Sequence, residues 1–247
     1  MAVTLLCAGE LPRGEAARLT QAFVEARGAH AADRMLFSRS DQAGTDALPK
    51  TLIARDVATA AHAVEVVAGT HPLLASALDA ALLDAGLAGV DADNKPDRLG
   101  FAASGAIAYW LDQGKQFPAS AGAPHGMTFE FLCALEPPIA LKGETGGVAV
   151  VTASAGEAAA EAVGVVARSA ALAQLCASAI SRAVSPPEGE LSAEAVWDAL
   201  GQGARVASAL RAQGHLRGAA ITLRGRGRII GQIEGDRLLR FGVSSWR

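Results

Sequence analysis

Ser154 ends the stretch VAVVTAS, an apolar run that stops at Thr152-Ala153-Ser154-Ala155-Gly156 with a helical pattern straight after it. A serine held at a strand-to-helix junction can act as a nucleophile. The backbone N–H groups that follow it and the helix dipole would stabilise an oxyanion. Ser154-x-Gly156 supplies the second half of a G-x-S-x-G elbow, with Thr152 where the first glycine would stand. Ser154 to Glu157 also reads as a capping box, in which the serine oxygen accepts from the N3 amide and Glu157 bonds back. Such a cap is worth about 1 kcal/mol, and it is the plainer reading. His125 follows a proline in the irregular segment GKQFPASAGAPHG (114–126), where a general base could sit or a histidine could simply be solvated.

Three arginines form the other chemical signal. In RGRGR, Arg224, Arg226 and Arg228 share one face if the segment is a strand, because side chains there repeat every second residue. Arg217, Arg237 and Arg240 could add to that face. From Arg205 to the C-terminus there are nine arginines against Glu234 and Asp236, so this end carries +7 while the whole chain carries −3. A ribbon of this kind could bind nucleic-acid phosphates or the acidic surface of a carrier protein. Alternatively, it could be a solvent face that balances the acidic body. Phe241 and Trp246 are the only aromatics near it in sequence, so base stacking has no platform and nucleic acid is disfavoured.

Other candidates carry less. His62 and His71 lack acid or cysteine partners at ligand spacing, so no metal is expected, and no cofactor motif is present. Glu144-Thr145-Gly146-Gly147 precedes a strand where a P-loop would precede a helix, so it reads as a plain turn. Cys133 and Cys176 read as core thiols. With Cys7 they make three widely spaced cysteines, which suits neither a disulfide framework nor a zinc ribbon. The start, MAVTLLCAGELPRG, lacks the basic region of a secretory signal, and no charge-free apolar run is long enough to span a bilayer. These features predict a soluble cytoplasmic protein with no membrane segment.

The elements that must position these residues follow from periodicity. Val3 to Ala8 reads as a strand and Arg13 to Arg27 as a helix. Residues 33–50 are polar and turn-rich, 51–57 suggest a short strand, and 58–68 a helix. HPLLASALDAALLDAGL predicts a helix from Pro72 to Ala85, with Pro72 in its first turn and Gly86 as its stop. Leu99 to Ser104 reads as a strand. Phe129 to Leu135 and Ile139 to Lys142 suggest a strand pair about Pro137-Pro138. Gly146 to Thr152 is a buried strand. A long helix is expected over 154–184 and another over 193–213, interrupted near GQG. The tail, AAITLRGRGRIIGQIEGDRLLRFGV, alternates and predicts an antiparallel hairpin turning at EGD. The expected fold is α/β, a layered mixed sheet with helices over 1–185. Residues 186–247 add a helix and a basic hairpin that complete the same domain.

HPLLASALDAALLDAGL, an acidic loop and DRLGFAASGAIAYW together resemble the N-terminal half of β-ketoacyl-ACP synthases, of the thiolase superfamily. QFPAS and PPIALKGETGGVAVVTASAGEAAAEAV resemble that family's strand running into its nucleophile. The resemblance covers about residues 70–165 and implies a thiolase-like half with Ser154 in the place of the family's cysteine. The family's catalytic histidines have no counterpart after residue 165. His125-Gly126-Met127-Thr128 echoes its histidine motif, but ahead of the nucleophile position. A serine there is a poor nucleophile without a base. The resemblance therefore implies a ketosynthase-like protein of fatty-acid or polyketide-type metabolism working with acyl thioesters, either an active acyltransferase or a non-catalytic partner subunit. It would pair with itself or a homologous partner, and an acidic acyl carrier protein could dock on it. A serine-dependent acyl hydrolase or transferase using Ser154, and an anion- or nucleic-acid-binding module on the arginine hairpin, are the two alternatives.

Overall fold

The computed structural model describes residues 3–8, 14–43, 48–90, 98–103, 105–111, 128, 131–132, 145–152, 160–184, 192–231, 233 and 245–246. Strand β1 (Thr4–Ala8) is followed by four helices in a row: α1 (Glu15–Ala29), α2 (Ala31–Ala43), α3 (Leu52–Ala68) and α4 (Leu74–Ala88). Strands β2 (Arg98–Ala103), β3 (Ala106–Leu111), β4 (Thr145–Thr152) and β5 (Ala162–Ala167) come next, then α5 (Ala170–Ala183) and α6 (Ala193–Ala212). The chain ends with β6 (Gly218–Leu223), β7 (Arg226–Ile230) and the short β8 (Ser245–Trp246). The strands form one sheet in sequence order, antiparallel from β1 to β7, with β8 parallel to β7.

The period of two divides the sheet into two buried faces. Phe101, Ala108, Ala149, Val165, Ala219 and Ile221 face the helices, within the larger core. Ile107, Tyr109, Val148, Val166 and Ala220 face the other way, where Phe131, Leu132 and Ile233 pack on them. Burial on both sides explains why these strands read as continuous apolar runs. The helix-facing residues at the centre are small, mostly alanine and glycine, which lets α4 and α5 approach the sheet closely. Gly147 is the extreme case: a Cβ there would lie 1.9 Å from the Ala170 backbone nitrogen at the start of α5.

Carboxylates tie the helical layer together. The first N–H groups of a helix have no partner inside it, and its dipole makes that end positive. Asp33 of α2 accepts from the Lys50 and Thr51 amides ahead of α3, at 2.7 and 2.9 Å. Asp41 of α2 accepts from Leu74 and Ala75 at the start of α4, at 2.8 and 3.1 Å. Asp84 of α4 accepts from Ala170 and Ala171 at the start of α5, at 2.8 and 2.9 Å. Local caps add to these: the Thr51, Ser169 and Ser192 side chains accept from the amides of Ala54, Leu172 and Ala195. Burial raises the Asp33 carboxyl, but hydrogen bonds from Lys50 and Thr51 outweigh it and hold it below its ordinary value. At Asp84 burial prevails over its two amide bonds and pushes the carboxyl up to about 6.

The mixture of helices with a sheet agrees with the α/β expectation, but several elements differ from it. Helix α2 occupies the segment read as polar and turn-rich, and α3 begins at Leu52, where a strand was expected. In both, residues that look like loop formers serve helix ends: Thr51 and Asp33 hold the start of α3, and Asp41 holds the start of α4. Residues 162–167 of the expected helix over 154–184 are strand β5, and the helix is confined to Ala170–Ala183. The β-branched Val163, Val165 and Val166 suit the buried slot between β4 and β6, and tertiary pairing overrides the alanine pattern around them. Phe131 and Leu132, expected in a strand, are helical, and the rest of that expected strand pair lies outside the described residues. Thr145, read as part of a turn, begins β4, which takes in the strand expected over Gly146 to Thr152. Helix α6 runs uninterrupted through GQG.

Candidate anion-binding cleft

Ser154 and His125 both lie outside the described residues, as do Glu157 and Cys133. The flanks of Ser154 are described. Strand β4 ends at Thr152, and Thr152 pairs with Ala162 of the antiparallel β5. The apolar run is therefore followed within the chain by a second strand, β5, where a long helix over 154–184 was expected. Cys176 is a core thiol on α5, pushed up to about 12 by burial. His71 Nδ1 lies 3.2 Å from Glu65 Oε2 in a half-exposed pair.

The three arginines of the hairpin do not form one ribbon. Arg224 and Gly225 are the two turn residues between β6 and β7, at φ +50° and +69°, so Arg224 is the exposed tip. Two positive φ values in a two-residue loop match the twist of the strands they join. The turn expected at EGD lies outside the described residues. Arg226 and Arg228 share the helix-facing side of β7 and stack on Trp197 of α6, with guanidinium carbons 5.1 and 4.9 Å from the ring centroid. Arg226 Nη1 also donates to the Ala193 carbonyl, at 3.3 Å. The aromatic partner absent near this run in sequence is thus supplied from α6, and it engages the arginines inside the fold. Each stack is worth about 0.5–2 kcal/mol. Replacing Arg226 and Arg228 together with glutamine should lower stability by about 1–2 kcal/mol and shift the tryptophan emission. The Arg224→Gln change should stay within about 0.5 kcal/mol. Urea titrations followed by fluorescence check both.

Elsewhere, the sequence reading overlooked an arginine pair on the helical layer. Helices α1 and α2 are joined through His30 alone, whose Nδ1 donates to the Ala26 carbonyl at 2.7 Å. Both rest on α4, and between them lies a cleft of about 540 Å³. It is lined by Phe23, Val24, Arg27, Gly28, Ala31, Arg34, Met35 and Ser38. Asp79 of α4 lies beneath it, 1% exposed. Arg34 Nε sits 3.0 and 3.1 Å from the two Asp79 oxygens, and Arg27 Nε is 3.3 Å from one of them. A buried carboxylate requires such partners. Two guanidiniums on one carboxylate leave one positive charge in excess. The arginine side chains remain 27% and 40% exposed, and both line the cleft. A guanidinium held at Nε still offers a fork of Nη donors suited to a carboxylate or phosphate.

One sequence signal did point here. Asp79 falls among the buried leucines and alanines of α4, and a charge on a core-facing stripe calls for a counter-charge. Which arginines answer it is decided by packing across 45 and 52 residues of chain. No protein-family model, curated protein or solved structure matches this chain.

Proposed function

We propose that the protein is an anion-binding protein whose site is the cleft between α1 and α2. The carrying observation is that Arg27 and Arg34 share one buried carboxylate, Asp79, which orients both and leaves them a net positive charge toward solvent. Pre-orientation lowers the entropy lost on binding, and the cleft falls within the usual volume range of small-ligand sites. Inorganic phosphate, titrated while the arginine Nε–H resonances are followed by NMR, is expected to shift those of Arg27 and Arg34 saturably. The Arg34→Gln variant should abolish the Arg27 response, and added chloride should weaken it. If the Arg27 and Arg34 resonances do not move, or the response survives in the variant, the reading fails.

A second reading follows the ketosynthase-like resemblance. It takes the chain as a cytoplasmic partner subunit working with acyl thioesters, dimeric with itself or a homologue. Its support is that β4 occupies the stretch the resemblance assigns to the strand before Ser154. Among the described residues no helix is long and apolar enough to cross a membrane. Intact-mass measurement after treatment with an acyl thioester or a fluorophosphonate tests Ser154. An adduct lost in Ser154→Ala would support acyl transfer or hydrolysis, and no adduct would leave the non-catalytic form.

A further inference from the structure

The cleft is more than a charged notch. Two of the five exposed large apolar side chains among the described residues, Val24 at 56% and Met35 at 59%, both line it. They stand one on each wall, on α1 and α2, and the buried Phe23 lines the same cleft. Counting from the His30 corner, Gly28 and Ala31 come first, then Arg27 and Arg34. Val24, Met35 and Ser38 lie towards the open end. The cationic rung is thus followed by an apolar one along the same cleft. At the corner, a Cβ on Gly28 would meet nothing within 4 Å, so there is free space beside the arginines.

We infer that the cleft takes an amphipathic anion: a short straight-chain acyl or alkyl group whose carboxylate or phosphate sits on Arg27 and Arg34 and whose chain runs between Val24 and Met35. This rests on the anion-binding reading and adds the ligand class. An exposed methionine suits such a chain, because its unbranched, polarisable side chain adapts to a neighbour without fixed shape.

The test uses the full chain and a homologous series: butyrate, hexanoate and octanoate, with octyl phosphate and octanol as head-group arms. Affinity, read from the Arg27 and Arg34 Nε–H shifts, should rise about threefold to fourfold per methylene buried. Octanol should bind far more weakly than either anion, and the ratio of octanoate to octyl phosphate identifies the preferred head. Val24→Ser with Met35→Ser should flatten the chain-length dependence and leave the phosphate response unchanged. Gly28→Met should block binding by filling the corner, with the helix at least as stable as before. Phosphate binding without chain-length dependence would overturn this inference and leave the anion reading standing, whereas no response to any anion would overturn both. Self-association in sizing experiments that the double serine variant abolishes would assign the apolar walls to a second copy and also overturn it.

Discussion

Gly147→Ala is expected to prevent the protein from reaching its native fold. The added Cβ would lie 1.9 Å from the Ala170 nitrogen, 2.1 Å from the Ser169 carbonyl carbon and 2.3 Å from the Ala170 Cα. All three are backbone atoms at the first turn of α5, so no rotamer change relieves the overlap. That turn is itself held by the Asp84 carboxylate below it and by the Ser169 cap. Helix α5 would have to lift off β4, and its buried face is the centre of the helical layer. Ordinary overpacking costs about 1–3 kcal/mol. A backbone-on-backbone overlap in a pinned helix should exceed about 4 kcal/mol, a large share of a domain's stability. Gly86→Ala is the matched control. A Cβ at Gly86 meets nothing within 4 Å inside α4, and the change should stabilise by about 0.5–1 kcal/mol. Soluble yield and urea unfolding of the two variants decide the matter. A Gly147→Ala protein as stable as wild type would refute the close approach of α5 to β4.

Asp84 should give stability a pH dependence opposite to that of an ordinary salt-bridged acid. Burial pushes its carboxyl up to about 6 from an unfolded value of 3.8. Between those values the folded state holds a proton that the unfolded state has released. The stabilisation from this group is therefore fully present below pH 3.8 and lost as pH rises through about 6. The residue is only half-buried, so the full shift is discounted, to about 2 kcal/mol. Asp33 acts in the other direction: its lowered carboxyl adds stability above its ordinary value that is lost as pH falls. Urea midpoints of wild type and Asp84→Asn between pH 4 and 7.5 separate the two, because the variant should lose only the Asp84 component. Identical pH profiles would refute the assignment. Asp84→Ala should cost about 3 kcal/mol at low pH, since it leaves the Ala170 and Ala171 amides without acceptors, and less as pH rises through about 6.

Much of the architecture was readable from local pattern. Strand β1, helices α1, α4 and α6, and strands β2 and β4 fall within a few residues of where periodicity and helix-end residues place them. The alternation in AAITLRGRGRII likewise marks the hairpin of β6 and β7, though not its turn. These are properties of a segment, above all its period; the end signals served less well, since α4 begins at Leu74, after Pro72, and runs through Gly86 to Ala88. Composition also carried information. The excess of alanine over aromatics corresponds to a sheet face thin enough for α4 and α5 to lie close against it.

What the sequence could not reveal depends on partners far along the chain. The valines of β5 sit in an alanine-rich stretch that reads as helix until β4 and β6 offer backbone partners on both sides. Asp33 and Asp41 look like turn residues because short polar side chains favour turns. Here they spend that hydrogen-bonding capacity on helix starts 17 and 33 residues away. Trp197 reaches Arg226 and Arg228 only because α6 packs across β7. The candidate cleft shows the same division. Sequence alone could mark Asp79 as a charge on the apolar stripe of α4, since an unpaired buried carboxylate is too costly to keep. Only the packing of α1 and α2 on α4 could select Arg27 and Arg34 to neutralise it, because a local pattern records the need for a counter-charge and not the direction from which it comes.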